Sequence, residues 1–96
     1  MKTIDGNREV SYYDTGQVQH ESWWYCGHFH RIDGPAVINY DQNGHVRSKQ
    51  WYRYGLLHRE DGPALTLYDK DGQVASEAWF KNGILTTPTL DPTSVR

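Results

Sequence analysis

Asp5, Asp33 and Asp61 stand 28 residues apart, and that interval runs through most of the 96-residue chain. Gly6, Gly34 and Gly62 keep it, as do Tyr12, Tyr40 and Tyr68, then Gly16, Gly44 and Gly72, then Val18, Val46 and Val74. Trp23, Trp51 and Trp79 follow it, and so do Gly27, Gly55 and Gly83. His30-Arg31 recurs as His58-Arg59, and Pro35-Ala36 as Pro63-Ala64. A period held without insertion from Asp5 to Leu85 restricts the chain to architectures in which one small unit stacks on its own copies. The units are 5–32, 33–60 and 61–88, within a repeat domain over 1–88. Both ends depart from the pattern. Asn7-Arg8 stands where later units have Pro-Ala, and Thr86-Thr87 where earlier ones have His-Arg. Terminal units of a stack are expected to differ because each caps an open end. Residues 89–96 have no periodicity and are expected to form a poorly ordered tail.

Inside a unit the hydrophobic period is two, the spacing of a strand with two unlike faces. In the second unit, 36–40 predicts a short strand, 41–44 a turn closed by glycine, and 45–53 a longer strand. Tyr54-Gly55 predicts a second tight turn from which Leu56-Leu57-His58 pairs back. Pro63 then opens the next strand, a position where its missing N–H does no harm. The first unit predicts strands 10–13 and 18–25, the third 64–68 and 74–80. Four Trp, seven Tyr and nine Gly suit strands and turns. The fold expected is all-β, a single antiparallel meander of β-hairpins in three 28-residue units.

Alternation separates two faces of the long strands. Val18, His20, Ser22 and Trp24, with Val46, Ser48, Gln50, Tyr52, Val74, Ser76, Ala78 and Phe80, make a face expected to be buried. The other carries Gln19, Glu21, Trp23 and Tyr25, then Arg47, Lys49, Trp51 and Arg53, then Ala75, Glu77, Trp79 and Lys81. A tryptophan amid charge in every unit is either covered by Pro, His and Arg of the following loop or left open for a ligand.

A formal charge of −2 argues against binding to nucleic acid driven by charge alone. One cysteine, Cys26, excludes an internal disulfide framework and fits a reducing, cytoplasmic setting. The start of the chain lacks the apolar core of a signal peptide, and no run is long enough to span a membrane.

Several side chains invite a chemical reading. Cys26, His28 and His30 offer soft ligands for zinc, but their spacing matches no common motif and a fourth ligand is lacking, so no metal or cofactor is expected. Cys26 with a histidine and Asp33 could make a nucleophile, but a scaffold this small offers no water-excluding pocket, so no catalytic residue and no enzyme activity are expected. Asp33-Gly34 and Asp61-Gly62 read as turns rather than calcium loops. His30, Arg31, His58 and Arg59 recur, as a structural fastener does and a catalytic group need not. Arg59 is expected to stack on an aromatic ring or pair with an aspartate.

The stretch Trp51-Tyr52-x-x-Gly55-x-Leu57-His58-Arg59-x-Asp61-Gly62-Pro63-Ala64 resembles tandem repeats of phage, giant-virus and bacterial proteins that look like relatives of the MORN (membrane occupation and recognition nexus) repeat. The resemblance covers residues 5–85. It implies an elongated, twisted sheet of hairpins and binding rather than catalysis. It also suggests a phage- or mobile-element-encoded inhibitor of a host or defence protein. The expected function is therefore a non-enzymatic protein-binding module, alone or as a homodimer. The expected contact residues are Arg47, Lys49, Trp51, Arg53, Tyr54, Trp23, Tyr25 and Trp79, where a unit shows its distinctive side chains around the shared tryptophan. Single-stranded nucleic acid or glycan binding along the same aromatic and basic strip is the alternative.

Overall fold

The computed structural model describes residues 2–5 and 7–86, with side chains from residue 7 onward; the tail expected at 89–96 lies outside the described residues. Among these, twelve strands and no helix are formed: β1 (Lys2–Asp5), β2 (Arg8–Tyr12), β3 (Val18–Tyr25), β4 (His28–Phe29), β5 (Val37–Tyr40), β6 (Val46–Gln50), β7 (Tyr52–Arg53), β8 (Leu56–Leu57), β9 (Leu65–Tyr68), β10 (Val74–Ala78), β11 (Phe80–Lys81) and β12 (Ile84–Leu85). The main sheet is an antiparallel meander in the order β1-β2-β3-β5-β6-β9-β10. β4 folds back on the end of β3, while β7–β8 and β11–β12 form two-stranded ribbons of their own.

The strand expected over 45–53 is therefore broken. Trp51 N–H still donates to Ala64 O at 2.7 Å, one step on from the Gln50–Leu65 pair, as Trp23 N–H donates to Ala36 O at 2.8 Å within β3, which runs on to Tyr25. Beyond each tryptophan the chain swings into a small hairpin. The strand expected over 74–80 is likewise interrupted at Trp79, giving β10 and β11. Each small hairpin turns through two residues at positive φ: Cys26 and Gly27, Tyr54 and Gly55, Asn82 and Gly83. That is the turn whose twist matches two adjoining antiparallel strands.

The two-face reading also needs correction near the start of each long strand. Register shifts at a bulge in all three hairpins, so that Val18 pairs Tyr12, Val46 pairs Tyr40 and Val74 pairs Tyr68. Cross-strand partners share a face, and one extra residue reverses the alternation. The three valines thus lie with the tyrosines on the tryptophan side rather than with Ser22 and Trp24. Nor is the opposite face buried throughout. Ser22 is enclosed, whereas Leu67 and its cross-strand partner Ser76 in the third hairpin are exposed.

The Cα positions span 48 × 34 × 15 Å, the proportions of one sheet. Among the residues whose side chains are described, the fully buried apolar ones are Val10, Ala36, Val37 and Ala64. Stacked side chains substitute for a second layer. Trp24 lies on Phe29, and Phe29 on Tyr52, with centroids 4.5 and 5.1 Å apart. On the loops, the Arg31 guanidinium lies 3.9 Å over the Trp23 ring and that of Arg59 4.0 Å over Trp51. Each guanidinium is tied down by a bond to a proline carbonyl, Arg31 Nη1 to Pro35 O and Arg59 Nη1 to Pro63 O. A Cβ on Gly34 would stand 2.8 Å from Arg31 Cζ, and one on Gly62 2.7 Å from Arg59 Cζ. Neither glycine is needed for its dihedral angles. Each leaves bare backbone against which a guanidinium can lie.

Gly62→Ala is accordingly expected to push Arg59 off its ring and destabilise the fold by about 0.5–2 kcal/mol, the worth of the cation–π contact. In an Arg59→Ala background the same change should be nearly silent, because the two substitutions remove one interaction. Urea unfolding of both singles and the double substitution checks this; additive losses would refute the stack.

Candidate functional site

The contact residues anticipated from the sequence divide into two groups in space. Arg47, Lys49, Trp23, Trp51 and Trp79 belong to the main sheet or to its junctions, whereas Tyr25, Arg53 and Tyr54 lie in the row of small hairpins. The break at Trp51 is what parts Arg47 and Lys49 from Arg53. Arg47 is exposed beside the bulge. The Lys49 ammonium lies 5.8 Å from the Tyr68 ring. The Trp23 and Trp51 rings, each capped by a guanidinium, are half-buried, and so is Trp79.

On the tryptophan side β2, β3 and β5 are joined by one carboxylate. Glu21 accepts hydrogen bonds from Arg8 and from the Tyr40 hydroxyl. Burial pushes its carboxyl upward, but the bonds from Tyr40 and Arg8 and the charge of Arg8 outweigh that and hold it below the ordinary value of 4.5. The Tyr40 hydroxyl is driven the other way, to about 12, by burial and by donating to Glu21. Arg31 adds its charge to the same group.

The row of small hairpins is held together by a recurring pair of bonds. Gly55 N–H donates to Phe29 O and Gly83 N–H to Leu57 O, both at 2.8 Å. Beside them Tyr54 N–H donates to His30 Nδ1 at 2.9 Å, and Asn82 N–H to His58 Nδ1 at 3.0 Å. Each histidine thus accepts from the left-handed turn residue of the next hairpin. His30 and His58 each bond one small hairpin to the next. Cys26 is exposed at the equivalent turn of the first hairpin. Cys26, His28 and His30 do not converge, and among the described residues no group of three or more His, Cys, Asp or Glu is placed to hold a metal ion.

The two seams have the same backbone but opposite chemistry. In the second, buried His58 is bonded through Nε2 to Glu60 at 2.7 Å, with Lys81 3.4 Å and Arg53 3.9 Å from the same carboxylate. The His58 bond and then Lys81 hold the Glu60 carboxyl below its ordinary value. In the first, Ile32 occupies the position of Glu60, Tyr25 that of Arg53 and Tyr54 that of Asn82. The His30 ring lies 4.2 Å from Tyr54 and 5.4 Å from Tyr25, and the two tyrosines meet edge to face at 6.0 Å. Tyr25, Ile32 and Tyr54 are 49%, 67% and 58% exposed. The seams meet in a cleft of about 210 Å³ lined by Arg31, Ile32, Trp51, Arg53, His58 and Glu60, among others. The sequence drew attention to Tyr25, Tyr54 and Arg53 but passed over Ile32 and Glu60. Comparing position 32 with position 60 is the signal that would have found them.

Comparison with known protein families, curated proteins and solved structures finds no match for this chain.

The Glu21 cluster contributes to the acid behaviour of the fold. A carboxyl held low in the folded state contributes stability that is present above its unfolded value and lost as pH falls through the folded value. Glu21→Gln should lower stability at neutral pH and flatten the decline below pH 4.5. Thermal melts of both proteins across the acid range measure the slope; an unchanged slope would remove Glu21 from the account.

Proposed function

We propose that this chain is a non-enzymatic protein-binding module, and that the outer surface of its row of small hairpins is the contact face. The observation that carries this reading is the first seam, where two tyrosines and an isoleucine stand exposed and adjacent to a charged seam on the same row. Aromatic anchors beside arginine are the composition of interface hot spots. Tyr54 supports the reading in a second way. It holds φ at 51°, a left-handed conformation that a bulky side chain takes at a cost, where the equivalent residue in the third hairpin is asparagine. A ring kept at such a position in spite of strain, and left exposed, suits a role outside the fold.

The MORN-like pattern of the units fits an elongated binding scaffold, and its phage-type form fits an inhibitor of a host or defence protein acting in the cytoplasm. Nucleic-acid or glycan stacking is less well supported, because guanidinium groups already lie on Trp23 and Trp51 and the basic strip is divided. Tyr54→Asn is the direct test. Asparagine is among the residues that best tolerate this backbone, so the fold should be kept or slightly stabilised while affinity for the partner falls by about 10-fold or more. Affinity capture from the source cell, with wild type and variant as baits and with nuclease treatment, reads the outcome. Identical captures would refute the contact face, and capture abolished by nuclease would favour nucleic acid.

Self-association has an observation of its own. The outer edge of β10 is unpaired among the described residues, its strand is almost wholly exposed, and Val74-Ala75-Ser76-Glu77-Ala78 carries neither lysine nor proline to discourage pairing. Such an edge is a template for another strand. Pairing of β10 with β10 of a second copy would continue the antiparallel sheet and place Glu77 opposite Ala75 rather than opposite itself. Light scattering at micromolar concentration should show a dimer that Ser76→Lys converts to a monomer; a wild-type monomer would refute it.

A further inference from the structure

Each seam histidine uses Nδ1 as an acceptor for the next hairpin's N–H. A neutral imidazole that accepts at Nδ1 carries its proton on Nε2 and can donate from there. In the second seam that donor is used internally, by the Glu60 carboxylate with Lys81 and Arg53 around it. In the first seam the corresponding position holds Ile32, which is too exposed to cover the ring and cannot accept a hydrogen bond. His30 Nε2 has no hydrogen-bond partner among the described residues. The surroundings are otherwise prepared. Tyr25 and Tyr54 flank the ring, and Arg31 and Arg53 line the adjoining cleft.

We propose that the first seam receives an acidic side chain of a protein partner, whose carboxylate takes on His30 the place that Glu60 holds on His58. This rests on the protein-binding reading above and specifies the chemistry of the partner's anchor. A carboxylate there would accept from His30 Nε2–H and sit near the Arg53 cation, while neighbouring apolar residues of the partner would lie on Tyr25, Ile32 and Tyr54. The chain's own second seam is the template: the same imidazole geometry, filled from within. A hydrogen bond to a charged group in such a setting is worth more than one between neutral groups, so glutamate should be preferred over its amide.

The test uses two synthetic peptides as probes, acetyl-Trp-Glu-Leu-amide and acetyl-Trp-Gln-Leu-amide, titrated at millimolar concentration into the isotope-labelled full chain. The glutamate peptide should shift the His30 imidazole resonances together with the Tyr54 amide, and the glutamine peptide should bind about 10-fold more weakly. His30→Asn separates the donor from the fastener. Its amide oxygen can replace Nδ1 as acceptor for Tyr54 N–H, but it has no group at the place of Nε2. That variant should keep the fold and lose the preference for glutamate. Ile32→Glu should also block the glutamate peptide by supplying the carboxylate from within. Equal responses to the two peptides would overturn the carboxylate pairing while leaving the protein-binding reading intact. No response at His30 to either peptide would overturn the pairing as well, and the broader reading would then be decided by the Tyr54→Asn capture.

Discussion

A guanidinium held between a tryptophan ring and bare backbone does, in this protein, what a second layer does in a larger one. A lone sheet cannot bury both faces, and the few fully enclosed apolar side chains, Val10, Ala36, Val37 and Ala64, make a thin core. Arg31 and Arg59 answer this locally. Each covers a tryptophan, lies against a glycine and bonds a proline carbonyl, so one side chain fixes ring, loop and following strand together. The consequences reach further along the chain. Trp51 N–H donates to Ala64 O in register with β6 and β9, the last such bond before the chain enters β7 and β8. The loop that carries Arg59 also presents His58 to the next hairpin. Remove the stack, and both the junction and the seam lose the element that orients them.

Much of this was legible in the sequence because it is carried by residues whose spacing admits little choice. The turns at Gly44, Gly55 and Gly72, the meander, and the alternatives of stacking or pairing for Arg59 follow from the period and from turn chemistry. What escaped is what alternation cannot express. A bulge adds a residue without altering the composition of a strand, so Val18, Val46 and Val74 were assigned to the wrong face. The break at Trp51 is equally silent, since nothing in the alternation over 45–53 marks where β6 ends and β7 begins. The separation of Arg47 and Lys49 from Arg53 follows from that break and could not be read from a strand drawn straight through it.

Among positions related by 28 residues, the backbone bonds are the same and the outward side chains are not. Cys26, Tyr54 and Asn82 occupy one left-handed turn position, and only asparagine is well suited to it. Tyr54 still forms the same bond to a histidine that Asn82 forms, 2.9 against 3.0 Å, so that bond does not depend on its ring. The same holds for Ile32 and Glu60: one is exposed over an unfilled imidazole N–H, the other fills it. Backbone N–H, imidazole Nδ1 and carbonyl oxygen make the bonds that recur at both seams, while the outer side chains add contacts that differ, Tyr54 on Tyr25 at one and Lys81 on Glu60 at the other. A scaffold of that kind can exchange outward side chains at a handful of positions, and the distinctive ones are those where a unit keeps a strained group, or an imidazole N–H without an internal partner, instead of the comfortable arrangement found in its neighbour. In this chain both kinds of position fall on one seam, around His30.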